Sequence, residues 1–410
     1  MTSVKKELKM RVVDWWKEDN EENFNDNHFI KFLRQKYNII YSKTPDFILC
    51  GPFGNKHFDY DCVKIFYTGE NERVDWKLYD YGIGFDYMDF GEQYLRVPLF
   101  FIYDCEVKYR NLNKREKFCS YLVRHSGAFL WEQSGGFRDR FFDKLSEYKH
   151  IDSGGKWRNN IGGTIDELYG KKNEDMFSIK RKWLENYKFN ICFENSSYPG
   201  YLTEKLFDAY NAGCIPIYWG DTSLNSSSRS IVSQNLAENQ TKSQMGGGNR
   251  TYNPHDLDSI DTRIPRISPH LFDYKINPKA FINAHNFPHL DALVEEVKRI
   301  DNDERAYNAM RNEPLFLDDF HPKAFYEKKV LEFFDNIFSQ SPNLAFRRGD
   351  DNYRCQSTRI IKQERLRNIQ NNECSEYENL SRDALNFAKF FNQIQTSTRK
   401  IRNIFKFWRK

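Results

Sequence analysis

No stretch of this 410-residue chain is apolar for long enough to cross a bilayer. The longest nearly apolar run, Tyr94–Tyr103, has about half of the roughly 20 residues that a spanning helix needs. The opening residues carry Lys5, Lys6, Glu7 and Lys9 and no apolar core, so no secretory signal is expected there. The eight cysteines lack the spacing of a zinc knuckle or a thioredoxin-type dithiol, which excludes those two classes. Several stand inside apolar runs, as in Ile48-Leu49-Cys50 and Ile191-Cys192-Phe193, where a thiol acts as a small core hydrophobe. A reduced, cytoplasmic protein is the expectation. Phosphate-loop, dinucleotide and nucleophile-elbow fingerprints are missing as well.

A large excess of either charge is also lacking. The net charge is +4, but it is unevenly placed: from Ser341 onward 15 Lys/Arg face 7 Asp/Glu, which leaves 47 basic and 51 acidic residues before it. A mildly acidic body is a poor footprint for nucleic acid, so no nucleic-acid partner is expected and only the basic tail would offer a route to one. The last twelve residues place Ile401, Ile404, Phe405 and Trp408 on one helical face among Arg399, Lys400, Arg402, Lys406, Arg409 and Lys410. That pattern fits a helix lying on an anionic membrane surface, peripheral to an inner membrane. Docking on the protein body or on another protein is the alternative.

What the chain does have is aromatic side chains, 35 Phe and 24 Tyr among them, too many for a disordered segment. Strand-like runs at Met10–Val13, Asp46–Cys50, Lys64–Thr68, Tyr81–Phe85 and Arg96–Tyr103 follow or flank an amphipathic segment, Glu22–Tyr37. This is the order of an α/β layer sheet. Ser153-Gly154-Gly155 reads as a hinge after a helix near Phe137–Tyr148. Beyond it, Phe189–Phe193, Thr203–Ala212 and Ile215–Trp219 read as a βαβ unit, with Thr203 as the helix cap and Gly213 past its end. The expected domains are 1–150, 151–340 with a polar insertion at about 221–267, and a helical basic tail at 341–410.

Polar residues gather where the strand of that βαβ unit ends and its helix begins: Glu194, Asn195, Tyr201, Thr203, Glu204 and Lys205. The carboxyl edge of an open α/β sheet is where ligands bind, and a helix N-terminus suits a diphosphate. A lysine in the first helical turn opposes the helix dipole, so Lys205 points to an anionic ligand. Glu204 and Asn195 suit sugar hydroxyls and Tyr201 a ring, with N1 stabilisation, turn capping and core packing as the respective alternatives. Arg158 follows Gly154-Gly155-Lys156-Trp157 and could grip phosphate oxygens from a flexible loop, or be a surface arginine. In the first half, Glu70 lies just past the run Ile65–Thr68, with Glu72 as a competitor. A carboxylate there can take a proton from an acceptor hydroxyl. Asp59-Tyr60-Asp61 could be a metal-binding pair, but in a chain with 58 acidic residues such a match is cheap.

Three motifs carry a family likeness. Phe193–Gly220 contains Glu-Asn-Ser, Tyr-x-Thr-Glu-Lys and Ile-Pro-Ile-Tyr-Trp-Gly, and resembles the signature of α1,3/4-fucosyltransferases. Phe66–Glu72 looks like their second motif and Asn277–Asn283 like a third. The likeness runs from about Arg11 to Phe334 and is closest to bacterial enzymes that build Lewis-type antigens. It implies a GT-B fold, with two Rossmann-like domains facing across a cleft. It implies GDP-β-L-fucose as donor, held by the second domain, and an N-acetyllactosamine-type glycan as acceptor, held by the first. On matching positions Glu70 would be the general base, Arg158 and Lys205 would hold the diphosphate, and Asn195, Tyr201, Glu204, Glu194 and Tyr67 would line the substrates. No cofactor or metal is required by this scheme, and divalent ions would at most assist product release. A transferase of another GDP-sugar, or a non-catalytic glycan-binding protein on the same scaffold, stays open. The tandem seven-residue repeats of bacterial relatives have one faint echo here, Asp350-Asp351-Asn352-Tyr353.

Overall fold

Runs rich in Val, Ile, Phe and Tyr that are buried along their whole length form parallel strands, since such strands are covered on both faces. The structure is a computed structural model, and it describes residues 5–102, 112–125, 136–171, 174–224, 258–260, 271, 275–317 and 320–348. Among them are two all-parallel sheets. The first is built from β1 (Glu7–Val13), β2 (Asn38–Tyr41), β3 (Phe47–Cys50), β4 (Val63–Tyr67), β5 (Tyr81–Gly84) and β6 (Tyr94–Arg96), in the order β2-β1-β3-β4-β5-β6. The second is built from β7 (Lys117–Tyr121), β8 (Ile151–Ser153), β9 (Tyr187–Ile191), β10 (Ile215–Tyr218) and β11 (Ile282–Asn283), in the order β11-β10-β9-β7-β8. Each sheet therefore reverses direction once, between β1 and β3 in the first and between β7 and β9 in the second. That reversal is the topological switch point of a doubly wound sheet, where loops diverge and leave a crevice at the carboxyl ends.

The helices are α1 (Glu21–Asp26), α2 (His28–Leu33), α3 (Phe137–Ser146), α4 (Ile165–Tyr169), α5 (Met176–Leu184), α6 (Glu204–Asn211), α7 (Leu290–Asn302), α8 (Glu304–Asn312), α9 (Pro322–Ser339) and α10 (Pro342–Ala345). The amphipathic segment expected over Glu22–Tyr37 is broken in two. The Asn27 side chain accepts from the backbone N–H groups of Phe29 and Ile30, which starts a new helix there. The run Arg96–Tyr103 is not one strand: β6 ends at Arg96 and a 3₁₀ turn, Leu99–Ile102, follows.

Two domain expectations need correction. The second sheet begins at β7, upstream of the boundary expected at 150, because β7 pairs directly with β8 and β9. The glycine-rich Ser153-Gly154-Gly155 marks the carboxyl end of β8 rather than a hinge between halves. In addition, α9 does not close the second half. Its Val330, Phe334, Ile337 and Phe338 join the core of the first sheet, with Phe338 against Phe47 at 4.9 Å and Phe334 against Phe29 at 6.2 Å. Both sheets lie in one compact unit that includes Cys62–Phe346 and the chain up to His57.

The second core is formed by β7, α3, β9, β10 and α7, centred on Phe141, Phe189, Phe193, Ile217 and Leu293. α6 belongs to the first core instead. Leu206 and Phe207 are buried there, and Phe207 meets Phe100 of the 3₁₀ turn at 4.4 Å. Cys50, Cys119, Cys192 and Cys214 are buried, as expected of core residues. The insertion begins later than expected: Asp221 is fully buried and its carboxylate accepts from the Gly200 and Ser223 N–H groups, so Asp221–Leu224 is part of the framework. Ser259 and Ile260 are fastened next to His289 and Pro288. Asp258 pairs with Arg140 and Lys144 of α3 at 3.2 Å, and the remainder of the 221–267 insertion and the basic tail from 349 lie outside the described residues. Among those described, no helix is long and apolar enough to cross a membrane.

Because α9 seals the first sheet, Phe334→Ala is expected to destabilise the protein by about 3–5 kcal/mol. Urea denaturation of the full chain measures this, and a loss under 1 kcal/mol would show that α9 is dispensable to that core.

Candidate active site

The carboxyl ends of β9 and β10 are built around one fully buried carboxylate. Glu194 follows β9, and its N–H donates to the Trp219 carbonyl at 2.8 Å. Gly220 lets the two chains approach: its φ is +159°, and a Cβ there would lie 2.4 Å from Glu194 Cγ. Glu194 Oε1 accepts the Thr203 N–H at 2.9 Å, and the Thr203 hydroxyl lies 2.8 and 2.7 Å from the two carboxylate oxygens. Lys205 Nζ donates to Glu194 Oε2 at 2.8 Å and to the Thr203 hydroxyl at 3.0 Å. Thr203 is thus the N-cap residue of α6 by position, but its hydroxyl serves the carboxylate rather than the helix.

The charges continue in alternation. Glu204 Oε1 lies 3.9 Å from Lys205 Nζ and 3.7 Å from Lys180 Nζ, and Lys180 pairs with Asp208 at 2.7 Å. Lys180 comes from α5 and Asp208 from the buried side of α6. Burial resists ionisation of Glu204, but Lys205 and Lys180 outweigh it and hold the carboxyl at about 2. Burial also works against the charge on Lys205, and Glu194 and Glu204 overcome it, so the ammonium persists far above neutral pH. The outcome is a cation fixed in the first turn of α6, beside the free N–H groups and the positive end of the helix dipole.

Glu70 stands across from this end. It follows β4, and its turn is closed by the Thr68 hydroxyl, which accepts the Glu70 N–H at 2.9 Å. The carboxylate of Glu70 spans the two lobes: Oε1 accepts from Trp16 Nε1 at 3.4 Å and Oε2 from Asn195 Nδ2 at 3.5 Å. Asn195 is oriented by the Tyr201 hydroxyl, which donates to its Oδ1 at 2.8 Å. Next to it, Asn71 Nδ2 donates to the Ser196 hydroxyl at 2.9 Å. Gly200 permits the contact between lobes: its φ is +85°, and a Cβ would meet the Phe85 carbonyl at 2.6 Å. Glu72, the competitor of Glu70, is exposed on the outer side of the turn.

The structure thus joins Glu70, Asn195 and Tyr201 in one hydrogen-bonded chain and Glu194, Lys205 and Glu204 in an adjoining row of ion pairs. Other expectations change. Glu194 is an anchor for Lys205 and Thr203, with no surface left for a substrate. Tyr201 packs edge-on against Phe85 at 5.1 Å instead of offering its ring. Tyr67 is core, stacked on Trp15 at 5.3 Å. Arg158 is apart from the cluster: both terminal nitrogens bind Asp143, Nε lies 3.5 Å from Asp139, and these acids raise its pKa. Its φ of +53° is nonetheless a left-handed strain in a non-glycine residue, of the kind that collects at functional loops. Sequence reasoning missed Trp16 and Lys180. Trp16 was within reach, since it follows β1 at a carboxyl edge, whereas Lys180 is brought in by helix packing alone. Among the described residues, no group of three His, Cys, Asp or Glu side chains is placed to hold a metal ion.

Comparison with known proteins agrees with this architecture. Residues 10–103 match the α-(1,3)-fucosyltransferase FucT N-terminal domain, and residues 112–234 match the C-terminal part of glycosyltransferase family 10 (fucosyltransferase); together these span just over half of the chain. An α-(1,3)-fucosyltransferase FucT of Helicobacter pylori is 28% identical over 374 residues, covering 80% of this chain and 66% of the relative. An α-(1,4)-fucosyltransferase of Arabidopsis thaliana is 35% identical over 92 residues, covering 20% of this chain and 23% of the relative. The chain thus spans just under two thirds of the first relative's length and about a quarter of the second's. A crystal structure of an α1,3-fucosyltransferase superposes with a TM-score of 0.58 at 26% identity, covering 83% of this chain and 92% of that one. A crystal structure of such an enzyme with GDP-fucose gives 0.56 at 26% identity, covering 83% and 93%.

Because the Glu204 carboxyl falls from its ordinary 4.5 to about 2, it contributes stability that is complete above pH 4.5 and lost as the pH falls toward 2. The stability difference between wild type and Glu204→Gln should be flat above about pH 5, at no more than roughly 3 kcal/mol, and vanish near pH 2. Denaturant melts across that range measure it, and a difference that does not change with pH would remove Glu204 from the ladder.

Proposed function

The chain belongs to the family 10 fucosyltransferases, with their GT-B fold, and from that premise we propose that it moves L-fucose from GDP-β-L-fucose to the 3-hydroxyl of GlcNAc in N-acetyllactosamine-type glycans. The observation that carries the reading is the carboxylate of Glu70 at the seam of the two lobes, facing the lysine-bearing end of α6 through Asn195. Transfer proceeds with inversion. The acceptor oxygen attacks the anomeric carbon from the side opposite GDP, the bond to the diphosphate oxygen breaks, and Glu70 takes the hydroxyl proton. General-base assistance of this kind contributes roughly 10²–10⁴-fold.

Negative charge grows on the leaving diphosphate. Lys205 and the N–H groups at the start of α6 are fixed before the substrate arrives, so their stabilisation costs no reorganisation. Arg158 joins them by exchanging Asp143 for a phosphate oxygen, an exchange between two bidentate acceptors of similar geometry. Glu204, kept ionised, accepts from sugar hydroxyls, and Asn195, whose Oδ1 is taken by the Tyr201 and Ser196 hydroxyls, donates to them with its second amide N–H while holding Glu70. The basic tail is proposed to rest on an anionic inner-membrane surface, with the enzyme in the cytoplasm.

Glu70→Gln should lower kcat by at least about 10²-fold with GDP affinity essentially unchanged. Product mass and linkage analysis with a panel of GDP-sugars, together with GDP titration calorimetry, decide this, and a collapse of GDP binding would displace Glu70 from its role. Lys205→Ala should raise KM for the donor and lower kcat together, because the lost charge acts on both bound and departing diphosphate. Near-normal kinetics for that variant would place the diphosphate elsewhere.

A further inference from the structure

We propose that the hollow between Trp15, Trp16 and the corner of α1 and α2 is a second sugar subsite, which holds the residue next to the fucosylated one in the acceptor. This rests on the transfer reading above. The hollow has a volume of about 210 Å³, and its lining combines two indoles and Phe29 with Asn23, Asn27, His28 and the ion-paired Lys17 and Asp26. That is smaller than the roughly 300–1,000 Å³ of sites that enclose drug-sized ligands, and suits a single ring. A pyranose has a face of C–H groups and an edge of hydroxyls. It needs flat apolar walls together with polar side chains, and the hollow supplies both.

Its position ties it to the acceptor rather than the donor. Trp16 is a shared wall: one part of the indole lines the hollow, while Nε1 donates to Glu70 Oε1 at 3.4 Å. A sugar with its hydroxyl at Glu70 therefore has its neighbour within one ring of Trp16. Phe53, half exposed, meets Trp16 edge-on at 5.0 Å and extends the apolar floor. All three residues lie at the switch point of the first sheet, past the ends of β1, β3 and β4, where a doubly wound sheet opens its crevice.

The walls are held firmly. Trp15 stacks on Tyr67 at 5.3 Å and meets Phe29 at 6.4 Å. Just before the two tryptophans the chain is turned by Asp14, a non-glycine residue with φ of +55°. Its carboxylate accepts the Lys56 and His57 N–H groups at 2.9 and 3.0 Å and contacts His57 Nδ1 at 2.7 Å. This left-handed residue swings Trp15 and Trp16 out of the line of β1 and locks them to the loop after β3. Strain of that kind persists only where the surroundings over-determine it.

The test compares transfer to the disaccharide N-acetyllactosamine with transfer to free N-acetylglucosamine, in full-length wild type, His28→Ala and Lys17→Ala. Wild type should prefer the disaccharide through a lower KM. Each variant should cut the ratio of the two kcat/KM values by up to roughly tenfold, the worth of one good hydrogen bond, through KM for the disaccharide. An equal fall for both acceptors, or an unchanged ratio in both variants, would overturn the subsite. So would N-acetylglucosamine carrying an apolar aglycone that matches the disaccharide, because the hollow would then be a hydrophobic slot. Fucose transfer with no preference for the disaccharide would sink the subsite alone. Absence of transfer to either acceptor would sink the transfer reading and the subsite with it.

Discussion

The structure turns on a row of alternating charges, Asp208–Lys180–Glu204–Lys205–Glu194, buried at its two ends and half-buried between them. Burying any one of these groups alone would cost several kcal/mol, and mutual pairing offsets that cost only when each finds its neighbour. The row therefore has one stable arrangement. α5 and α6 must sit at the spacing that lets Lys180 reach two acids, and β9 must deliver Glu194 beneath the first turn of α6. Polar groups of this kind specify position more than they stabilise. Here the position specified is that of one ammonium group at the end of a helix.

That helix also couples the two lobes. Its polar N-terminal turn belongs to the second sheet's crevice, while Leu206 and Phe207 are buried in the first sheet's core against the 3₁₀ turn. α9 returns from the end of the second half to cover the first sheet in the same manner. With hydrophobic cores shared in this way, the lobes cannot drift apart without exposing Phe100, Phe207 and Phe334. The cation on α6 and the carboxylate after β4 are thus held near each other by apolar packing that neither takes part in.

How much of this was legible in the sequence depended on the range of the interaction. The β9–α6–β10 unit could be read directly, because a buried apolar run, an N-cap threonine and a closing glycine are local signals. Glu70 and Lys205 were legible from their place at strand and helix ends. The identity of the side chains that bind ligand was less so. Glu194 and Tyr201 stand in the same motif as Lys205, and nothing local distinguishes an anchor from a contact; burial decides it. The domain boundary failed for a related reason. A glycine pair after a short strand looks the same whether it ends a domain or ends a strand, and only the pairing of β7 with β9 settles which. Lys180 had no signal at all, since its partners lie on a different helix.

The two switch points explain why chemistry collects where it does. Each sheet opens at its reversal, so the carboxyl ends of β1, β3 and β4 are open in one lobe and those of β7 and β9 in the other. The open edge of the first sheet carries aromatic side chains, Trp16 and Phe53, beside the carboxylate of Glu70. The open edge of the second carries a helix N-terminus and lysine. Flat apolar surface with one carboxylate suits a neutral, hydroxylated molecule that must lose a proton, and fixed positive charge suits one that must leave as an anion. The division of labour between the lobes thus follows from what each edge can solvate, before any substrate is specified. Asn195 touches both sides of that division, taking the Tyr201 hydroxyl on one side and reaching Glu70 on the other. A carboxylate held through such an amide keeps its remaining lone pairs directed at the seam, where the proposed transfer needs a proton acceptor.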